Sequence, residues 1–215
     1  AVSGLDTLPD NVDPAVNPVE HNIPLTGQVV VFLKNSNDIL KDQKVRQALI
    51  QAANPTEIIA ALPYPVIASQ SPLLSSHLGY NKDIKQLPPN IEAANKLLDE
   101  AGWVKGEDGM RSKAGVPLSF RLFSQNTSEY VDVTQKLQEQ WKVVGVDVQT
   151  FLQPNDEFEG TIARHEYDAL LYGISLGLDP DVFPYWHSSQ ADFRSDTRLN
   201  FSEYKSTTAD KALEA

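Results

Sequence analysis

The chain has no cysteine and a single methionine among its 215 residues. The first absence excludes disulfides, thiolate metal sites and cysteine nucleophiles together. It fits an exported protein that avoids stray oxidation, although many cytosolic domains lack cysteine too. No apolar run approaches the roughly 20 residues that a membrane-spanning helix needs. Cations are scarce, with 18 Lys and Arg against 29 Asp and Glu and a formal net charge of -11. Nucleic-acid affinity comes from clustered cations that release phosphate counterions, so this balance argues against a nucleic-acid partner. An acidic surface that keeps the protein soluble is the plainer account. Ala1 to Asn22 shows neither the basic start nor the apolar core of a signal peptide. Internal repeats and low-complexity segments are missing as well. What is present is 41% hydrophobic residues, enough for a substantial core in one or two domains.

The periodicity along the chain alternates between strand and helix. Residues 1–27 hold four prolines and read as an extended lead-in. Gln28 to Leu33 is a β-branched apolar run and predicts a buried strand. Val45, Leu49 and Ala52 recur at helical spacing, and Asn54-Pro-Thr-Glu57 has the form of a helix start that must end before Pro63. Residues 63 to 89 form a long loop, of the kind that is often functional. Ile91 to Gly102 predicts an amphipathic helix with Gly102 as a left-handed stop. Turn signals at Asp108-Gly109 and Ala114-Gly115 predict a small β-excursion. From residue 117 to 172 the order is β-α-β-α-β, with helices over Glu129 to Val144 and Asp156 to Arg164. That order predicts an α/β fold with a mixed, largely parallel sheet flanked by helices.

Chemistry is concentrated after the last of these strands. Tyr167 to Tyr172 runs into Gly173-Ile-Ser-Leu-Gly177, then Asp179-Pro180, then Phe183, Tyr185, Trp186 and His187. A strand that delivers side chains to its C-terminal end is how α/β proteins usually build ligand sites. The Gly-x-Ser-x-Gly spacing matches a nucleophile elbow at Ser175, but that device needs a helix at once and Pro180 turns the chain instead. The two glycines also fall short of a phosphate loop. Asp179 and Asp181 are better read as a turn residue and a helix cap than as an acid and base pair. His21, His77, His165 and His187 lie far apart without metal-ligand spacing. Phe183 and Tyr185 divide evenly between a satellite core and a binding wall, while Trp186 and His187 suit the wall better.

These segments resemble a known family. Lys44-Val-Arg-Gln-Ala-Leu49, Ala52-Ala-Asn-Pro-Thr-Glu-Ile-Ile59, Ala93 to Trp103, Asp108-Gly-Met-Arg111, Gly115-Val-Pro-Leu118, Gly145-Val-Asp-Val148, Tyr167 to Leu171, Asp179-Pro180 and Asn200-Phe-Ser-x-Tyr204 follow in the order seen in family 5 extracytoplasmic solute-binding proteins. These are the oligopeptide- and dipeptide-type receptors of ABC importers. The resemblance implies one lobe of a periplasmic-binding-protein-like two-lobe fold. In that reading residues 1–27 lead in from a first lobe and residues 28–215 form the C-terminal, ligand-binding lobe. It further implies a peptide or other small solute as ligand, a membrane permease as partner through the full-length protein, a monomer, no cofactor, no catalysis and an extracytoplasmic location. The cleft residues expected on this basis are Leu176, Gly177, Leu178, Trp186, His187, Arg194 and Asn200. Where such receptors keep an aspartate for the ligand's ammonium, this chain has Leu176. A non-transport interaction or sensor domain that retains the fold is the rival expectation.

Overall fold

The computed structural model describes residues 27–215 except Pro63 and Leu178. The expected lead-in therefore lies outside the described residues apart from Gly27, which opens the first strand. A four-stranded sheet in the order β1-β7-β5-β6 forms the centre. Its members are β1 (Gly27–Leu33), β5 (Ser119–Gln125), β6 (Asp147–Gln153) and β7 (Ala169–Ser175). β5 runs parallel to both β6 and β7, whereas β1 adds antiparallel to β7 with Gly27 opposite Ser175. The sheet is mixed and largely parallel, as the element order predicts.

Between β1 and β5 the chain forms α1 (Gln43–Ala52), α2 (Pro55–Ile59), α3 (Ile91–Glu100) and a small sheet of β2 (Val104–Lys105), β3 (Arg111–Lys113) and β4 (Val116–Pro117). α4 (Ser128–Val143) links β5 to β6, and α5 (Asn155–Ala163) links β6 to β7. The one-turn α6 (Phe183–Trp186) and α7 (Thr207–Leu213) complete the fold. Local chemistry sets these boundaries. The Asp42, Asn54 and Asn90 side chains accept from otherwise unpaired N–H groups at the starts of α1, α2 and α3. α2 stops at Ile59, three residues before the limit expected from Pro63.

Alternation along the strands feeds two separate cores. Phe120, Leu122, Val148, Ala169 and Leu171 face α1, α3 and α4, where Leu49, Leu98, Leu137 and Trp141 are buried. Trp141 Nε1 donates to the Leu49 carbonyl at 2.8 Å, so the large ring leaves no orphan donor. On the other face Phe32, Phe123, Leu170 and Ile174 meet Phe158 of α5, with Tyr167 and Phe201 completing the cluster.

The small sheet is locked on by one buried cation. The guanidinium of Arg111, which is 3% exposed, donates to the Val144 carbonyl (2.8 Å), the Trp103 carbonyl, Asp99 Oδ1 (2.6 Å) and Asn95 Oδ1 (2.8 Å). Gly145 makes room for it: an added Cβ would lie 2.8 Å from both Arg111 Cγ and the Gly109 carbonyl, at a φ of +85°.

Candidate functional site at the strand ends

Helices on opposite faces of a parallel sheet leave a crevice where neighbouring strands send their connections apart. β5 leads into α4 on one face, and β7 leads into α6 beside the core of the other face. The two strands pair only over Leu122–Ala169 and Phe123–Leu170, then splay. Two side chains bridge the opening. Ser124 Oγ donates to the Leu171 carbonyl at 3.0 Å, and the Tyr130 hydroxyl, from the first turn of α4, lies against Gly173. Burial raises the Tyr130 pKa, with the neighbouring Tyr172 and Tyr64 adding to the effect. Gly173 is required there, because a Cβ would sit 2.6 Å from that hydroxyl oxygen.

Backbone groups along a strand alternate between its two edges. Since Leu171 turns its carbonyl toward β5, the backbone groups of Gly173 and Ser175 face that edge too. Beyond Leu170 no described strand pairs with that edge of β7. Ser175 itself is exposed. The arrangement offers an extended ligand a strand edge, flanked by a half-buried tyrosine and by neutral side chains.

The residues expected to line the cleft divide into two sets. Leu176 follows β7 directly but is 7% exposed, Gly177 is exposed, and Leu178 lies outside the described residues. Trp186 is half-buried and leans on the second core, its ring 6.5 Å from that of Phe32. Arg194 is exposed and folded back on its neighbour, with Nη2 2.5 Å from Asp192 Oδ2. That contact holds the Asp192 carboxyl well below the usual carboxylate range.

The polar atoms of His187 and Asn200 are engaged inside the fold. His187 Nδ1 accepts from the Ser189 N–H at 3.1 Å, its Nε2 faces Glu214 Oε1 at 3.1 Å, and its ring stacks on Phe183 at 4.1 Å. Asn200 is fully buried; it donates to the His187 and Tyr204 carbonyls and accepts from the Tyr204 N–H. Both residues tie together the segment after β7. Tyr130, Gly173 and Ser124 stand at this strand-end opening and were not among the residues expected from the sequence. The available signal was positional: Tyr130 stands in the first turn of the helix after a parallel strand.

Among the described residues Ser175 and His187 do not pair. The ring nitrogens of His187 go to Ser189 and Glu214, not to Ser175. Among the described residues no group of three His, Cys, Asp or Glu is placed to hold a metal ion. A cavity of about 580 Å³ runs along the α5 face of the sheet, among Lys34, Arg121, Gln153, Arg164 and Asp168. Its cations are already matched: Arg121 with Asp168, Lys34 with Glu203 and Arg164 with Glu166.

Residues 4–195 match the family model for bacterial extracellular solute-binding proteins, family 5, middle region. The chain belongs to this family. Within it, the oligopeptide-binding protein AppA of Bacillus subtilis is 30% identical over 196 residues, covering 86% of this chain and 35% of AppA. The structure of that AppA in complex with a nonapeptide aligns with a TM-score of 0.79 at 30% identity, over 87% of this chain and 38% of AppA. NikZ from Campylobacter jejuni, solved with Ni(L-His), aligns with a TM-score of 0.80 at 29% identity, over 88% of this chain and 38% of NikZ. The chain thus spans little more than a third of these family 5 relatives. They are solute-binding proteins, and no described helix here is long and apolar enough to cross a membrane.

Proposed function

We propose that residues 28–215 are the C-terminal ligand-binding lobe of an extracytoplasmic receptor that captures peptides for an ABC importer. Residues 1–27 lead in from a first lobe, and the monomeric full-length protein hands its ligand to a membrane permease. The observation that carries this reading is the β7 edge left unpaired where β5 splays away. An extended peptide can add to such an edge through main-chain hydrogen bonds, which give affinity largely independent of sequence. The similarity to AppA, whose structure holds a nonapeptide, supports the same ligand class. The lobe binds without chemistry, by contributing one wall of a cleft that closes.

A wall alone should bind weakly. If the whole receptor binds at about micromolar Kd, near -8 kcal/mol, loss of half the contacts leaves roughly millimolar affinity. Titrating nonapeptides into this chain and into the full-length receptor, followed by Trp fluorescence, tests the reading. Tight binding by the chain alone would refute the half-cleft, and failure of the full-length receptor to bind any peptide would refute peptide capture.

A further inference from the structure

We propose that the groove on the α5 face of the sheet binds an uncharged saccharide, an inference that does not rest on peptide capture at the strand ends. Side chains alternate along a strand, so Arg121 and Phe123 of β5 point with Gln153 of β6 to the side that α5 covers. The helix returns Glu157, Thr161 and Arg164 across the gap, at the i, i+4 and i+7 spacing of one helix face. The space between them is about 580 Å³, within the range of small-ligand sites. Its floor is apolar: Phe123 is 6% exposed and stacks at 4.8 Å on Phe151, which is 40% exposed.

The walls hold paired polar groups with hydrogen-bonding capacity left over. Arg121 directs Nε and Nη2 to Asp168, at 3.0 and 3.2 Å, and keeps Nη1. Arg164 Nε lies 2.9 Å from Glu166 Oε2, which leaves its two terminal nitrogens. Gln153 Nε2 donates to Glu157 Oε1 at 2.8 Å, and Glu157 Oε2 stays open. Gln153 Oε1 is buried with no hydrogen-bond partner among the described residues, a deficit that folded proteins rarely leave unfilled. The lining thus offers donors and acceptors but no unpaired cation, so an anion would have to break an existing pair. Glu157 is the acid without a cation partner, and it sits in the first turn of α5, where the helix start already offsets its charge. A hydroxyl needs no such exchange, because it donates once and accepts twice. A pyranose ring carries hydroxyls around its rim and C–H groups on its faces, which suit the walls and the phenylalanine floor respectively.

The test titrates the isotope-labelled chain with glucose, maltotriose, N-acetylglucosamine and triacetylchitotriose, and follows backbone amide shifts by NMR. Glucuronate and glucosamine serve as charged controls. At least one uncharged sugar is expected to shift the amides of Phe123, Gln153 and Thr161 with a Kd of about 10 mM or tighter. Arg164→Ala and Glu157→Ala, both at exposed positions, should each weaken that binding about tenfold while the spectrum stays dispersed. A trisaccharide that binds more than about tenfold tighter than its monosaccharide assigns a glycan chain as the source, and a smaller ratio assigns a free sugar. Four results would each overturn the inference: binding weaker than about 10 mM for every uncharged sugar, shifts confined to the strand ends around Ser175, unchanged affinity in both variants, or a charged control more than about tenfold tighter than its neutral counterpart. None of them bears on peptide capture, which the nonapeptide titrations decide.

Discussion

Replacing Arg111 with alanine should separate two accounts of its stabilising role. Arg111 has one carboxylate partner, Asp99, whose side chain is 65% exposed, while the arginine side chain is 2% exposed. An ion pair with so exposed a partner is worth about 0–1 kcal/mol. The Trp103 and Val144 carbonyls differ, since the guanidinium reaches both inside the fold. Removing it strands them at a cost of about 1–3 kcal/mol each, and the lost side-chain packing adds to this. Allowing for partial relaxation, Arg111→Ala should cost about 3–4 kcal/mol, and Asp99→Ala no more than about 1 kcal/mol. For a domain of this size the first should lower Tm by roughly 6–16 °C and the second by about 4 °C or less. Urea unfolding and thermal scans by circular dichroism measure both. Equal losses in the two variants would refute the carbonyl account and make the ion pair the stabilising contact.

Other outcomes follow from single contacts. Gly173→Ala should push Tyr130 out of the splay, costing about 1–3 kcal/mol in stability and weakening ligand binding by the full-length receptor; unchanged affinity would remove Tyr130 from the site. Ser175→Pro deletes the N–H on the free β7 edge without touching the β1 ladder, so peptide affinity should fall roughly tenfold, about 1.4 kcal/mol, with Tm nearly unchanged. Burial works to raise the Glu203 pKa, but hydrogen bonds from His165, Ser36 and Lys34 outweigh it and bring the carboxyl down to about 2. The folded value lies below the unfolded one, so this stability is complete above about pH 4.5 and is lost as pH falls toward 2. Glu203→Gln should flatten that part of the stability profile, by on the order of 2–3 kcal/mol; an unchanged acid limb in urea titrations would contradict the assignment. Gly145→Ala should cost at least about 2 kcal/mol, from a positive φ combined with the clash against Arg111.

The sheet was largely legible because its strands and helices carry their own period. Phe120 and Val148 alternate with polar neighbours, and Leu137 and Trp141 recur every four residues. β1 was legible as a strand but not in its direction, since pairing Gly27 with Ser175 joins residues far apart in sequence. The site was read less well for the same reason. In a run such as Trp186-His187-Ser188-Ser189, side-chain type does not tell a ligand contact from an internal tie. What decides the role of His187 is Glu214, 27 positions later. Likewise nothing local to Tyr130 announces that its hydroxyl meets Gly173.

The tie between His187 and α7 bears on how this domain can be trimmed. Glu214 holds the imidazole, and Asp210 Oδ1 accepts from the Ser188 N–H at 2.9 Å. A version shortened to end before Thr207 would look harmless, since no residue of α7 is buried. It would nonetheless loosen the turn that carries Trp186, about twenty residues upstream, and blunt recognition at a distance from the cut.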